Sequence, residues 1–146
     1  MVPWISHRNS QRKIEVVPFY VSFDSETYQK EMVEVGVREF YQEMVDHPTV
    51  FPKTSMPSVH DYYEVFEKHA KEKMPVICIC ITRKFSGSLQ SATTAKDMIL
   101  EEYPDAQITV IDSTVNTVLQ GLYVLEACRL RDMGLGYEEI VEKILP

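Results

Sequence analysis

Hydrophobic positions along the chain change their spacing several times, and each change marks an element. Residues 14–23 are rich in Val, Phe and Tyr and predict a strand. Pro18 inside it points to an edge or early strand position. Residues 24–27 read as a turn, and 37–45 as a short helix with Phe40, Tyr41 and Met44 on one side. Pro48, Pro52 and Pro57 exclude a helix over 47–57 and predict a loop of restricted backbone freedom. A helix opens at Ser58, where Asp61 three residues on completes an N-cap pair. Val59, Tyr62, Tyr63, Phe66 and Ala70 follow at helical spacing, and Pro75 ends the element. The run over 76–81 is Val-Ile-Cys-Ile-Cys-Ile. It is short, β-branched and continuously apolar, which suits a strand buried on both faces of a parallel sheet. Residues 82–87 form the loop after it, 88–103 a helix, 107–111 a strand and 115–133 a long helix ending near Gly134 and Gly136. Residues 137–145 form a last short helix.

The order β–α–α–β–α–β–α–α predicts an α/β fold, a parallel sheet flanked by helices. Three clear strands are fewer than the roughly five or six of an average sheet, so the sheet reads as incomplete. The 146 residues fit one domain. Residues 1–13 are polar and basic and follow no period. They stand as a tag remnant, a disordered tail or a natural extension.

Composition narrows the classes. Lys and Arg number 15 against 22 Asp and Glu, a net charge of −7, which argues against a nucleic-acid partner. The longest apolar run falls far short of the roughly 20 residues that cross a bilayer, and no signal peptide is visible. Cys78, Cys80 and Cys128 form no disulfide framework, which suits a reducing compartment and a cytoplasmic protein. Cys78 and Cys80 share one face of their strand. They read as a metal or redox pair or as small buried hydrophobes, and the frequent burial of free cysteine favours the second.

In open parallel sheets ligands bind beyond the carboxyl ends of the strands. Three loops with small hydroxyl residues fall there. Thr54 and Ser55 precede a helix in a proline-fixed loop, where capping and ligand binding are equally supported. Ser86, Gly87 and Ser88 lie between the central strand and a helix N-terminus. Open N–H groups favour an anion there, Gly87 permits close approach, and either hydroxyl completes a cradle. Asp112 and Ser113 follow the next strand, and capping of the following helix is the expected role of Asp112. No nucleophile elbow, Walker loop or dinucleotide fingerprint is present. His7, His47, His60 and His69 are scattered; His69 reads as packed against its helix's apolar face, and adjacent His60 and Asp61 do not face each other. No metal or cofactor is expected. An enzyme using Ser86 or Ser88 as nucleophile or phosphoryl acceptor is the alternative, and it lacks a visible base.

Four stretches now stand in order: Ile14–Glu15–Val16–Val17–Pro18, Thr54–Ser55–Met56–Pro57–Ser58, Ser86–Gly87–Ser88–Leu89–Gln90–Ser91–Ala92 and Val110–Ile111–Asp112–Ser113. Together they resemble the N-terminal domain of the DegV family of bacterial fatty-acid-binding proteins, over residues 14–146. The resemblance implies a doubly wound α/β domain with a second domain packed against it and a fatty acid lying between. It implies that Thr54 and Ser86 hold the carboxylate, and that a separate fatty acid kinase subunit phosphorylates the bound acid. On this resemblance the family's first strand, ending in Thr-Asp-Ser, is not matched by residues 1–13, and the chain is expected to lack the C-terminal domain. A fragment of this kind is expected to self-associate through its uncovered apolar face, and a lipid carrier to make transient membrane contact.

Overall fold

The computed structural model describes residues 14–145; the expectations for residues 1–13 lie outside them. Strands β1 (Tyr20–Ser22), β2 (Gln29–Lys30) and β3 (Lys53–Ser55) form a small sheet, and β4 (Val76–Cys80) and β5 (Ile108–Asp112) form a second. The helices are α1 (Val37–Asp46), α2 (Val59–Lys71), α3 (Ser88–Glu102), α4 (Thr117–Asp132) and α5 (Tyr137–Ile144).

The β4–β5 pair is the parallel sheet that the apolar run predicts. Its register runs from Val76 opposite Ile108 to Cys80 opposite Asp112. Side chains on a strand alternate between faces, and here both faces are covered. Val76, Cys78, Cys80, Ile108 and Val110 pack with Tyr62 and Phe66 of α2 and Ala92, Ala95 and Ile99 of α3. Ile77, Ile79 and Ile111 pack with Leu130 of α4 and Ile140 and Ile144 of α5. Burial on both sides is why the run shows no polar alternation. Complete burial of a side chain such as Phe66 or Ile99 stabilises the fold by about 1.5–3 kcal/mol.

The strand expected over 14–23 is shorter and lies elsewhere. Residues 14–19 have no regular structure, and β1 begins after Pro18. Pro18 has no N–H to give a ladder, which is consistent with the late start. β1 then pairs antiparallel with β2 and β3, apart from the parallel sheet. The proline-rich 47–57 segment, expected to be all loop, contains β3 between Pro52 and Pro57.

The cap of α2 is as the spacing predicts. Ser58 Oγ accepts from the Asp61 N–H at 3.2 Å, and the Asp61 carboxylate accepts from the Ser58 N–H at 2.8 Å. The expected cap at Asp112 is not formed. Helix α4 starts at Thr117 with Asn116 as N-cap. Asp112 instead accepts from the Thr114 N–H at 2.9 Å, closing a local turn. No described helix is long and apolar enough to cross a membrane.

Candidate functional site

The loop after β4 is tied down before it reaches α3. Thr82, nearly buried, accepts from the Phe85 N–H at 2.9 Å and the Ser86 N–H at 3.3 Å. Its own N–H donates to Val115 at 3.0 Å, and the Ser113 N–H donates to Cys80 at 3.1 Å. The loops following the two parallel strands are therefore stitched together at the sheet's carboxyl end. Ser86, Gly87 and Ser88 emerge from this frame. The Ser86 and Ser88 hydroxyls lie 2.7 Å apart, and Ser86 Oγ accepts from the Ser88 N–H at 3.2 Å. Ser88 is only 1 % exposed.

The proline-bounded loop approaches from the small sheet. Thr54 stands opposite Val21 and Ser55 opposite Tyr20. Met56 follows and lies over Gly87: a Cβ on Gly87 would sit 2.7 Å from the Met56 sulfur. Gly87 therefore makes room for the neighbouring loop. Its φ of −76° is open to any residue, so the demand on this position is space beside the Met56 side chain rather than backbone freedom.

A cavity of about 420 Å³ opens beside β4. Ile77, Cys78, Ile79, Cys80 and Ile81 form one wall, the segment from Ile14 to Val17 and Phe19 another, and α4 a third through Gln120, Gly121 and Val124. Thr54, Tyr62 and Ser88 also face it. The wall is mostly aliphatic, with hydroxyls from two separate loops. The sequence-predicted residues are thus partly assembled. Thr54 and Ser88 share the cavity, Ser86 is one hydrogen bond behind Ser88, and Gly87 supports the contact with Met56. Ser55, the neighbour of Thr54 on an alternating strand, is not among the lining residues.

Two features of the cavity were not apparent in the sequence. Tyr62, placed there only as part of an apolar helical stripe, carries its phenol to Ser88 and Cys80; burial is the main force raising its pKa. A tyrosine on a buried stripe needs a partner for its hydroxyl, and that need was the available signal. Gln120 donates from Nε2 to the Ile79 carbonyl at 3.2 Å, so a side-chain amide serves the outer edge of β4.

At the start of α2, Asp61 is 7 % exposed. Its carboxylate accepts from the Tyr20 hydroxyl at 2.8 and 3.1 Å and the Ser58 hydroxyl at 2.6 Å, and pairs with Lys30 Nζ at 2.9 Å. Burial raises its pKa, but bonds from Ser58, Lys30 and Tyr20 outweigh this and hold it well below the usual carboxylate range. One carboxylate thereby joins β1, β2 and the start of α2.

Among the described residues no histidine or carboxylate is bonded to Ser86 or Ser88. His47 pairs with Glu43, His60 with Glu64 and His69 with Glu15. His69 is only partly buried, and its Nε2 lies 2.8 Å from the Glu15 carboxylate.

The model of the DegV family matches residues 7–145. A DegV domain-containing protein of Clostridium acetobutylicum is 36 % identical over 136 residues, covering 93 % of this chain and 47 % of that protein. Among solved structures, a stearic acid-binding protein from Eubacterium ventriosum superimposes with a TM-score of 0.90 at 45 % identity, covering 94 % of this chain and 47 % of that one. The fatty acid kinase (Fak) B3 protein of Streptococcus pneumoniae, solved loaded with linoleic acid, superimposes with a TM-score of 0.74 at 31 % identity, covering 88 % of this chain and 43 % of that one. The chain spans about half the length of the curated relatives it matches. The family match runs through both hydroxyl-bearing loops and the strand that walls the cavity between them, and the chain belongs to the DegV family.

Proposed function

We propose that this chain binds a long-chain fatty acid, with the carboxylate at Thr54 and the Ser86–Gly87–Ser88 loop and the acyl tail along the β4 wall. The observation that carries the reading is one largely aliphatic cavity faced by hydroxyls from two loops, Thr54 and Ser88. An ionised carboxylate accepts short, charge-assisted bonds from such donors. The start of α3 adds N–H groups and a favourable dipole. Each buried methylene of the tail contributes about 0.8 kcal/mol, so the chain length sets most of the affinity and the hydroxyls set the orientation. Ser86 and Ser88 bond to each other, and among the described residues no histidine or carboxylate is bonded to either, which favours holding over attack.

The same reading makes the chain the lipid-carrying partner of a separate ATP-dependent kinase subunit. Likeness to the Streptococcus pneumoniae kinase protein supports this role. The carrier then needs to present the carboxylate rather than transfer phosphate.

Native mass spectrometry after incubation with stearate tests the binding. One fatty acid per chain is expected. Thr54→Ala combined with Ser86→Ala should weaken retention on the order of 10- to 100-fold, from the loss of bonds to a charged group. Retention unchanged in a variant with an unchanged circular dichroism spectrum would overturn the assignment.

A further inference from the structure

Cys78 and Cys80 stand on the same face of β4, their sulfurs 3.7 Å apart, and both line the cavity. Cys80 is 3 % exposed over its whole surface, and it lines the cavity where it is not packed against α2 and α3. Both are free thiols. The backbone fixes their spacing. Two residues of strand rise separate the Cα atoms by about 6.6 Å, at the upper end of the roughly 4.4–6.8 Å that disulfides tolerate. Closing the sulfurs from 3.7 Å to a bond requires the strand to buckle while paired to β5 along its length. Inserting an atom does not. An atom bonded to two sulfurs at about 2.3 Å, the length of a zinc–thiolate bond, spans that gap at a near-tetrahedral angle. Arsenic(III) bonds thiolate sulfur at a similar length. Among the described residues no group of three or more His, Cys, Asp or Glu side chains is placed to hold a metal ion. A metal would therefore lack protein ligands, whereas an organoarsenic(III) centre needs two sulfurs only.

We propose that Cys78 and Cys80 form a dithiol site for trivalent organoarsenicals, with the organic substituent seated in the aliphatic cavity. The inference uses the same cavity as the lipid reading and does not require that a fatty acid bind there. In the reaction an arsenoxide, R–As=O, condenses with two thiols. Two S–As bonds form, the As=O bond breaks, and both thiol protons leave with the oxygen as water. Arsenic stays trivalent and no oxidant is consumed. The two sulfurs share a hydrogen bond in which either can be the donor, so both are poised for the same arsenic. Cys128, buried on α4, lies outside the lining and takes no part.

Phenylarsine oxide and the folded 146-residue chain provide the test, with intact mass and thiol titration as readouts. One adduct lacking the arsenoxide oxygen is expected, with two of the three thiols lost. It should resist excess monothiol and be released by a 1,2-dithiol. Cys128→Ala should behave like the unsubstituted chain, and Cys78→Ala and Cys80→Ala should each retain at least 10-fold less arsenic under monothiol. A monothiol-resistant adduct in either single variant would overturn the proposal. So would an unsubstituted chain that takes up no arsenic when folded while all three thiols titrate after unfolding. The second result does not depend on any variant folding.

Discussion

Gly87 and Met56 meet where the two hydroxyl-bearing loops approach each other. Because the Gly87 backbone is unstrained, Gly87→Ala tests only the space: its methyl would lie 2.7 Å from the Met56 sulfur and 3.1 Å from the Met56 methyl. Overpacking against the flexible, part-exposed end of Met56 costs at most about 1 kcal/mol. Urea unfolding should show that loss in Gly87→Ala and its recovery when Met56→Ala is added. Full stability in the single variant would mean that the exposed end of Met56 swings aside to admit the methyl. Asp61 makes a different prediction. Its folded pKa lies below the ordinary 3.8, so its contribution is complete above that value and fades as the pH falls through the folded pKa. Asp61→Asn, which leaves Lys30 without its counter-charge, should cost about 2–3 kcal/mol near neutral pH. Thermal melts from pH 7 down to 2 should show the difference from the unsubstituted chain shrinking below about pH 4. A constant difference across that range would assign the loss to shape rather than charge.

At the scale of elements, a side-chain hydrogen bond adds to the apolar packing between α4 and β4. Gln120→Leu removes the donor to the Ile79 carbonyl and should cost about 1 kcal/mol in chemical denaturation. An unchanged midpoint would show that water replaces the amide at that edge. The elements differ in how openly the sequence announces them. Helix α2 is declared by Ser58 and Asp61, and β4 by an apolar β-branched run after Pro75. β2 and β3, two and three residues long, are too short to display any period, and β3 sits among prolines that argue for loop. Thr54 and Ser88 were legible as loop hydroxyls near strand ends. Tyr62, Cys78 and Cys80 were not legible as cavity residues, because an apolar stripe does not distinguish a face against packed neighbours from a face against open space. The first strand was overextended for a related reason: Val16 and Val17 have strand chemistry, but pairing begins only beyond Pro18.

Over the whole molecule, a good deal of apolar surface remains uncovered. Phe51 is 82 % and Phe85 74 % exposed, and Val118, Leu119 and Leu122 leave a stripe of α4 open. Surfaces of this sort favour association. Sedimentation of this chain at rising concentration should show an average mass above that of the monomer, reduced by Leu119→Lys with Leu122→Lys. A single monomeric species at all concentrations would count against an apolar contact surface there.

Thr54 belongs to the small antiparallel sheet, while Ser86 and Ser88 hang from the parallel one, and among the described residues no strand is shared between the two. In mechanical terms these are two jaws. Among the described residues, side chains such as Asp61, Tyr20 and Met56 seat one body on the other, and no continuous ladder of backbone bonds joins the two sheets. A head group gripped from both sides would act as a rivet, so the grip can adapt to its load without deforming either sheet.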